Sequence, residues 1–340
     1  WGGTDNWGQV TQITGSDTTA ADKFGWSAAI SGDTVVVGAL DDDPSGSASG
    51  AAYVFDRDLG GNDAWGEVAK LGANDAAKWD KFGQAVAISG DTIVVGAYLS
   101  DVGGANSGSA YVFVRDQGGA DNWGEVAQLS STDLAANDQL GYSVGIAGDT
   151  IVVGARLNDD VRSSSGSLHM FDRNLGGVNA WGEVAKATAS DPGPGDRLGT
   201  SVSISGDFVV GGALFDDDSG DSSGTAYVYE RHHGGSNNWG QLEKLAADDA
   251  STNDRFGIAV AISGNTAIVG AYLDDPMAIN SGSSYLMEIV SSASGSGSQE
   301  SLVAEDESHL TSEFLTRAPR SAKLDSSSVE DRMATERAPT

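Results

Sequence analysis

The stretch Phe24-Gly25-Trp26-Ser27-Ala28-Ala29-Ile30-Ser31-Gly32-Asp33-Thr34-Val35-Val36-Val37-Gly38-Ala39 decides the fold. Bulky and small side chains alternate up to Ile30, which suits a strand with one face in a core and the other against a crowded neighbour. Gly32-Asp33 reads as a tight hairpin turn, because glycine reaches positive φ without steric cost and Asp bonds its own backbone. Thr34 to Ala39 then carries three consecutive valines, the pattern of a strand buried on both faces.

This hairpin recurs at a constant spacing of 58 residues. Phe24-Gly25 returns as Phe82-Gly83, Leu140-Gly141, Leu198-Gly199 and Phe256-Gly257, and Gly38-Ala39 as Gly96-Ala97, Gly154-Ala155, Gly212-Ala213 and Gly270-Ala271. Each hairpin is followed by a polar loop (Leu40 to Gly50 in the first copy) and a third strand, Ala51 to Arg57, holding Tyr53, Val54 and Phe55. After the turn Gly60-Gly61-Asn62-Asp63, Trp65 to Leu71 forms a fourth strand. Four short antiparallel strands per period make a propeller blade, and no helical periodicity competes with that reading. The predicted fold is therefore all-β, a five-bladed β-propeller over residues 1–290.

The fifth unit has only three strands before Val290, and its missing piece stands at the other end. Trp1 to Ile13 matches a turn plus a fourth strand, so the opening segment is expected to complete the last blade and remove its exposed edge. It could do so in its own ring or in a neighbouring molecule, giving a closed oligomer or an open filament. From Ser291 the repeat stops, and residues 291–340 read as a Ser/Gly linker and a polar tail, disordered by itself unless a neighbouring copy holds it.

The sequence holds no Cys and a net charge of −30, most of it on the first 290 residues. Disulfides are excluded, and such a surface repels nucleic acid and anionic lipid. No apolar run approaches the ~20 residues of a membrane-spanning helix. The start at Trp1 suits either a mature secreted chain from which a signal peptide has been removed or a fragment of a longer chain.

The run Phe-Gly, then Ile-Ser-Gly-Asp-Thr, then Val-Val-Gly-Ala, with Ala-Tyr-Val-Phe and Trp-Gly-Glu-Val-Ala-Lys-Leu behind it, resembles the FG-GAP repeat. That unit builds the blades of integrin α-subunit heads and of many bacterial and algal surface proteins. The resemblance covers residues 1–290 and implies a cell-surface or extracellular propeller. Calcium-binding members carry an Asp-rich loop between the first two strands. Here that connection is only Ser31-Gly32-Asp33-Thr34, so the family's calcium site does not carry over.

Three Asp columns persist through all five units: Asp17, Asp75, Asp133, Asp191, Asp249; Asp22, Asp80, Asp138, Asp196, Asp254; and Asp43, Asp101, Asp159, Asp217, Asp275. Asp ties down turn amides, and it also supplies the oxygens that Ca²⁺ takes. The third column lies in dense clusters, in which adjacent carboxylates repel unless a cation screens them. Asp41, Asp42, Asp43, Asp101, Asn158, Asp159, Asp160, Asp216, Asp217, Asp218, Asp274 and Asp275 are thus the candidate calcium ligands, with Ca²⁺ as the one cofactor the loops could hold. A Trp column, Trp7, Trp65, Trp123, Trp181 and Trp239, offers either packing between blades or a sugar-stacking platform on each blade. Arg57, Arg115, Arg173 and Arg231 form a further column, expected to pair with local Asp residues, whose fifth position is Ile289.

Enzyme chemistry finds little to use. His169, His232, His233 and His309 form no metal-ligand spacing, there is no thiol, and the acids follow the repeat rather than breaking it as a glycosidase pair would. The reading at this level is a non-enzymatic surface propeller for adhesion or self-assembly, such as a filament or sheath subunit, with copies of itself, a protein or a glycan as partners. The alternatives are a multivalent lectin and, behind it, a propeller glycosidase.

Overall fold

In the computed structural model, residues 8–290 are described; Trp7 and the tail from Ser291 lie outside them. Nineteen strands and no helix make up this part. The first blade is β1 (Phe24–Ser31), β2 (Thr34–Ala39), β3 (Ala51–Asp56) and β4 (Gly66–Leu71). The second is β5 (Phe82–Ser89), β6 (Thr92–Ala97), β7 (Ser109–Val114) and β8 (Gly124–Leu129), and the third is β9 (Leu140–Ala147), β10 (Thr150–Ala155), β11 (Ser167–Asp172) and β12 (Gly182–Ala187). The fourth comprises β13 (Ser201–Ser205), β14 (Phe208–Ala213), β15 (Thr225–Glu230) and β16 (Gly240–Leu245). The fifth has β17 (Phe256–Ser263), β18 (Thr266–Ala271) and β19 (Ser283–Glu288).

Each blade is a simple antiparallel meander, and successive blades pack through their first strands, which makes these the inner strands of a five-bladed β-propeller. The hairpin read from the sequence forms with Ser31 opposite Thr34 and Gly32 at φ 58°. The fourth strand begins one residue later than expected, at Gly66, because Trp65 takes φ 54° and turns out of the ladder.

The two glycine signatures have one joint cause. The backbone of Gly83, at the start of blade two, lies directly on Gly38 of blade one, so a Cβ on Gly38 would land on the Gly83 carbonyl. The Ser27 hydroxyl donates to that same carbonyl at 2.8 Å, and Ser143 and Ser201 repeat the bond to Gly199 and Gly257. One loop residue of each blade also bridges in parallel to the start of the next, Gly50 to Phe82 and so on to Gly224 and Phe256. The hydrophobic core is correspondingly not one mass but five clusters, four of them lying between adjacent blades and the fifth on the outer side of blade one. Val36, Val94, Val152 and Val210 are fully buried in them.

The fifth junction differs. The last sheet has three strands, and Gly8–Ile13 run without strand pairing, so the expected completion of blade five by the opening segment is not made among the described residues. Ile13 instead packs on blade one beside Tyr53 and Phe24, in the place that Leu71 takes on blade two. The segment is thus docked where the fourth strand of a preceding blade belongs, but that blade is not there. The consequence is exposure: Ile30 is 62 % accessible where its equivalent Ile88 is 9 %, and Ile268 is 42 % accessible where Val94 is 0 %.

Candidate functional site

The repeated polar residues converge between the blades. Asp17, which precedes blade one, accepts from the Tyr53 hydroxyl at 2.7 Å and from Lys70 Nζ at 2.8 Å. Tyr53 also hydrogen-bonds Asp42, with Lys70 Nζ 3.1 Å from the same carboxylate. Blade four repeats the set: Tyr227 donates to Asp191 and Asp216 at 2.9 and 2.8 Å, and Lys244 contacts Asp191, Asp216 and Asp218. The hydrogen bond from Lys70, then that from Tyr53, holds the Asp17 carboxyl below the usual carboxylate range. Burial pushes the Tyr53 and Tyr227 hydroxyls up, and the flanking carboxylates add to it, so both stay protonated donors.

Two blades vary the set while keeping it balanced. In blade two Ser100 and Gln128 replace the Asp42 and Lys70 equivalents together, and both reach the Tyr111 hydroxyl. In blade three His169, buried, occupies the tyrosine position, 3.0 Å from Ser167 and 2.7 Å from Glu183. His169 therefore belongs to the repeat, at the position that Tyr53, Tyr111, Tyr227 and Tyr285 hold in the other blades.

The Arg column forms a second junction at the opposite ends of the strands. Arg57, Arg115, Arg173 and Arg231 pair through Nε with Asp33, Asp91, Asp149 and Asp207 of their own blades at 2.5–2.7 Å. The sequence reading missed that three of them also reach backwards. Arg115 Nη2 donates to Thr34 at 2.7 Å, Arg173 to Thr92 at 3.0 Å and Arg231 to Thr150 at 2.6 Å, each across to the preceding blade. Where the column breaks at Ile289, the facing position on blade four is Phe208 rather than Thr, and both side chains join one apolar cluster. That exchange of a Thr–Arg pair for a Phe–Ile pair was present in the aligned copies as a paired departure from the repeat.

The candidate residues fall into place as follows. Trp123, Trp181 and Trp239 are at most 2 % exposed, packed between blades beneath Arg115, Arg173 and Arg231, whose guanidinium carbons lie 4.5 Å from the ring centres. A buried ring with a guanidinium on its face has no surface for a sugar, so the stacking platform read for these three positions is corrected. Trp65 is half-buried under Arg57 in the same way, and Trp7 lies outside the described residues.

Among the candidate calcium ligands, Asp43, Asp101 and Asp275 each accept the backbone N–H five residues on, from Ala48, Asn106 and Asn280. Asp41 sits between Lys23 and Lys81, and although burial opposes it, these two ammonium groups hold its carboxyl below the usual range. Asn158 donates to Asp160, which also pairs with Lys186, and Asp274 accepts from Tyr285 at 2.7 Å. Asp159 and Asp217 lie in the same loops. Among the described residues no group of three or more acidic or His side chains is arranged to hold a metal ion.

The Asp22 column is the third repeated device. Asp80, Asp138 and Asp254, all buried, accept from the backbone of Ala77, Ala135 and Ser251 at 2.6–2.8 Å, and Asp22 and Asp196 bond Thr19 and Gly193 likewise. Burial raises Asp196 to about 6, with Asp216, Asp217 and Asp218 adding their negative field. A depression of about 610 Å³ lies at the Arg-column end, lined by Asp149, Arg173, Asp207 and Arg231. It is walled by the ion pairs already described.

No curated protein matches this chain. One solved structure with some likeness is the computationally designed Ika4 protein, 14 % identical, covering 66 % of this chain and 99 % of that one with a TM-score of 0.38, too loose to carry an argument. The FG-GAP repeat matches at residues 7–55, 65–113, 123–171, 181–229 and 239–287. Each match opens on the Trp column and closes in the third strand, so unit and blade are offset by one strand, as the docked opening segment requires. By these five matches the chain belongs to the FG-GAP repeat family.

Proposed function

We propose that this propeller is a non-catalytic assembly module working outside the cell, whose partner is a second copy of itself. The surface setting rests on the likeness to FG-GAP surface proteins. The observation that supports self-assembly is the pair of open faces at the two ends of the blade array, which match each other as the buried faces do. Ile30 on blade one stands where Ile88 meets blade one, and Ile268 and Leu286 on blade five stand where Val94 and Val112 meet blade three. The polar junction is retained as well. Arg57 lacks a preceding blade, and Thr266 and Glu288 on blade five occupy the positions from which Thr34 and Asp56 meet Arg115. Head-to-tail stacking would bury these faces and bring Gly8–Ile13 beside β19 of the neighbour as its fourth strand. Such a heterologous contact closes into a ring or runs on as a filament.

The net charge of −30 opposes contact between copies, so salt decides the balance. The Debye length falls from ~30 Å at 0.01 M to ~8 Å at 0.15 M ionic strength, and apolar seams gain as repulsion is screened. Light scattering is expected to give a mass that rises with protein concentration and with salt. Ile30→Arg together with Leu286→Arg is expected to return the monomer. A monomer at every concentration and salt would overturn the reading, and an Ile30 that is protected in that monomer would mean the chain closes its own ring.

A further inference from the structure

One position of the repeat departs from symmetry in a way that assembly does not use. Lys23, Lys81, Gln139, Arg197 and Arg255 occupy it, each held at a φ of 57–61° just before an inner strand, so all five project from the same end of the propeller near its axis. Between consecutive members lies one residue of another column: Asp41, Leu99, Leu157, Phe215 and Leu273 in turn after each member. In the first slot Asp41 neutralises both neighbouring lysines. In the fourth slot the residue is Phe215, and the Arg197 and Arg255 guanidinium carbons each lie 4.6 Å from its ring centre. Nearby, Arg156 stacks on Tyr142 at 3.6 Å, and Tyr142 meets Tyr98 edge-on at 5.5 Å.

These three arginines lie without a carboxylate partner in an acidic protein. Those of the repeated Arg column all pair with carboxylates, whereas no ion pair involves Arg156, Arg197 or Arg255 among the described residues. Arg156 Nε donates to Gln139 at 2.8 Å, but the Nε atoms of Arg197 and Arg255 are buried with no acceptor. The adjacent Asp196 and Asp254 do not serve them, being bonded to the amides of Gly193 and Ser251. Burial lowers the Arg156 pKa and the charge of Arg197 adds to that, against an opposing contribution from Tyr142 and Tyr98, so like charges meet here with no carboxylate between them. A guanidinium stacked on a ring keeps its N–H groups in its own plane, parallel to the ring, so its terminal Nη groups can still form the fork that fits an oxyanion.

We propose that Arg156, Arg197 and Arg255, with Phe215, Tyr142 and Tyr272 around them, bind the carboxylate or sulfate group of an acidic saccharide. The oxyanion supplies an acceptor for the terminal Nη groups of Arg197 and Arg255, which pair with no carboxylate among the described residues. Tyr272, 47 % exposed and 6.0 Å from Arg255, offers a ring for the apolar face of a sugar. The flanking loops carry Asp216, Asp217, Asp218, Asp274 and Asp275. They repel a continuous polyanion and tolerate an acid group spaced among neutral hydroxyls, which is why a saccharide fits better than an acidic peptide.

The test is calorimetric titration with galacturonate oligomers, a sulfated disaccharide, neutral galactose oligomers, inorganic sulfate and poly-glutamate, at a protein concentration where light scattering shows one species. Binding is expected for the acidic saccharides only, weakening with salt, and Arg197→Gln with Arg255→Gln is expected to reduce affinity at least tenfold. Arg197→Lys, which keeps the charge and loses the fork, keeps the test valid if the double variant fails to fold; it is expected to weaken binding several-fold. Equal binding of neutral oligomers, poly-glutamate binding as tightly as the saccharides, inorganic sulfate alone matching them, no binding at all, or unchanged affinity in the folded variants would each overturn the proposal. None of these outcomes bears on whether copies stack.

Discussion

At Asp196 a single carboxyl reports how tightly the interblade loops are held. Its folded pKa is raised to about 6 by burial and the neighbouring carboxylates, while an unfolded Asp titrates near ~3.9. Between those values the folded chain binds the extra proton, so this group's contribution is greatest below the unfolded value and is lost as pH rises through the folded one. Asp196→Asn keeps an acceptor for the Gly193 amide without the charge. It is expected to flatten the stability profile between pH 4 and 6, and to add roughly 2 kcal/mol at pH 7, as read by urea unfolding across that range. Trp181 illustrates the converse, a residue whose chemistry suggests binding and whose burial assigns it to packing. Trp181→Ala should cost about 3–5 kcal/mol in the same assay, with no effect on saccharide titrations.

Among the elements, the blade junction is the structural unit, and it comes in two chemistries. Three junctions join Thr to Arg, and the fourth joins Phe208 to Ile289. Ile289→Arg alone places a charge in an apolar cluster opposite a ring and is expected to destabilise by roughly 3 kcal/mol. Adding Phe208→Thr rebuilds the pair seen at Thr150 and Arg231, and the double variant should recover at least 1 kcal/mol of that loss. A double-mutant cycle by denaturant unfolding measures the coupling; additive losses would show that the two positions do not meet. Blade two shows a neutral version of the other junction, in which Gln128 bonds both Asp75 and the Tyr111 hydroxyl where Lys70 bonds Asp17 and Asp42.

For the whole molecule, stability is distributed along the array, since each blade contacts only its neighbours. Blades two to four are covered on both faces, whereas β1, β18 and β19 each present one face to solvent. Hydrogen exchange of the monomer is expected to protect β6, β10 and β14 most and to release β18 and β19 first. Under conditions in which the mass rises, β1, β18 and β19 should gain protection together, because one contact covers all three.

The repeat, the order of strands in a blade, the hairpin turns and the five blades were legible from the amino acids alone. Glycine at a positive φ and valine in a doubly buried strand are local requirements, and local requirements leave their mark in a single column. The family was legible for the same reason. What Asp17, Thr34 and Arg115 do was not, because each meets partners outside its own blade, and only the packing angle between blades decides which columns meet. The Asp clusters showed the same limit: their acidity was plain in the sequence, but the ammonium, hydroxyl and amide groups that hold them come from strands and turns distributed along the chain. Tertiary structure alone likewise buried Trp123, Trp181 and Trp239, left Ile30 and Ile268 open, and gathered three arginines without ion pairs near the axis. Sequence specifies the blade because a blade is made of near neighbours; the seams and the sites lie between blades, where distance along the chain gives no guide.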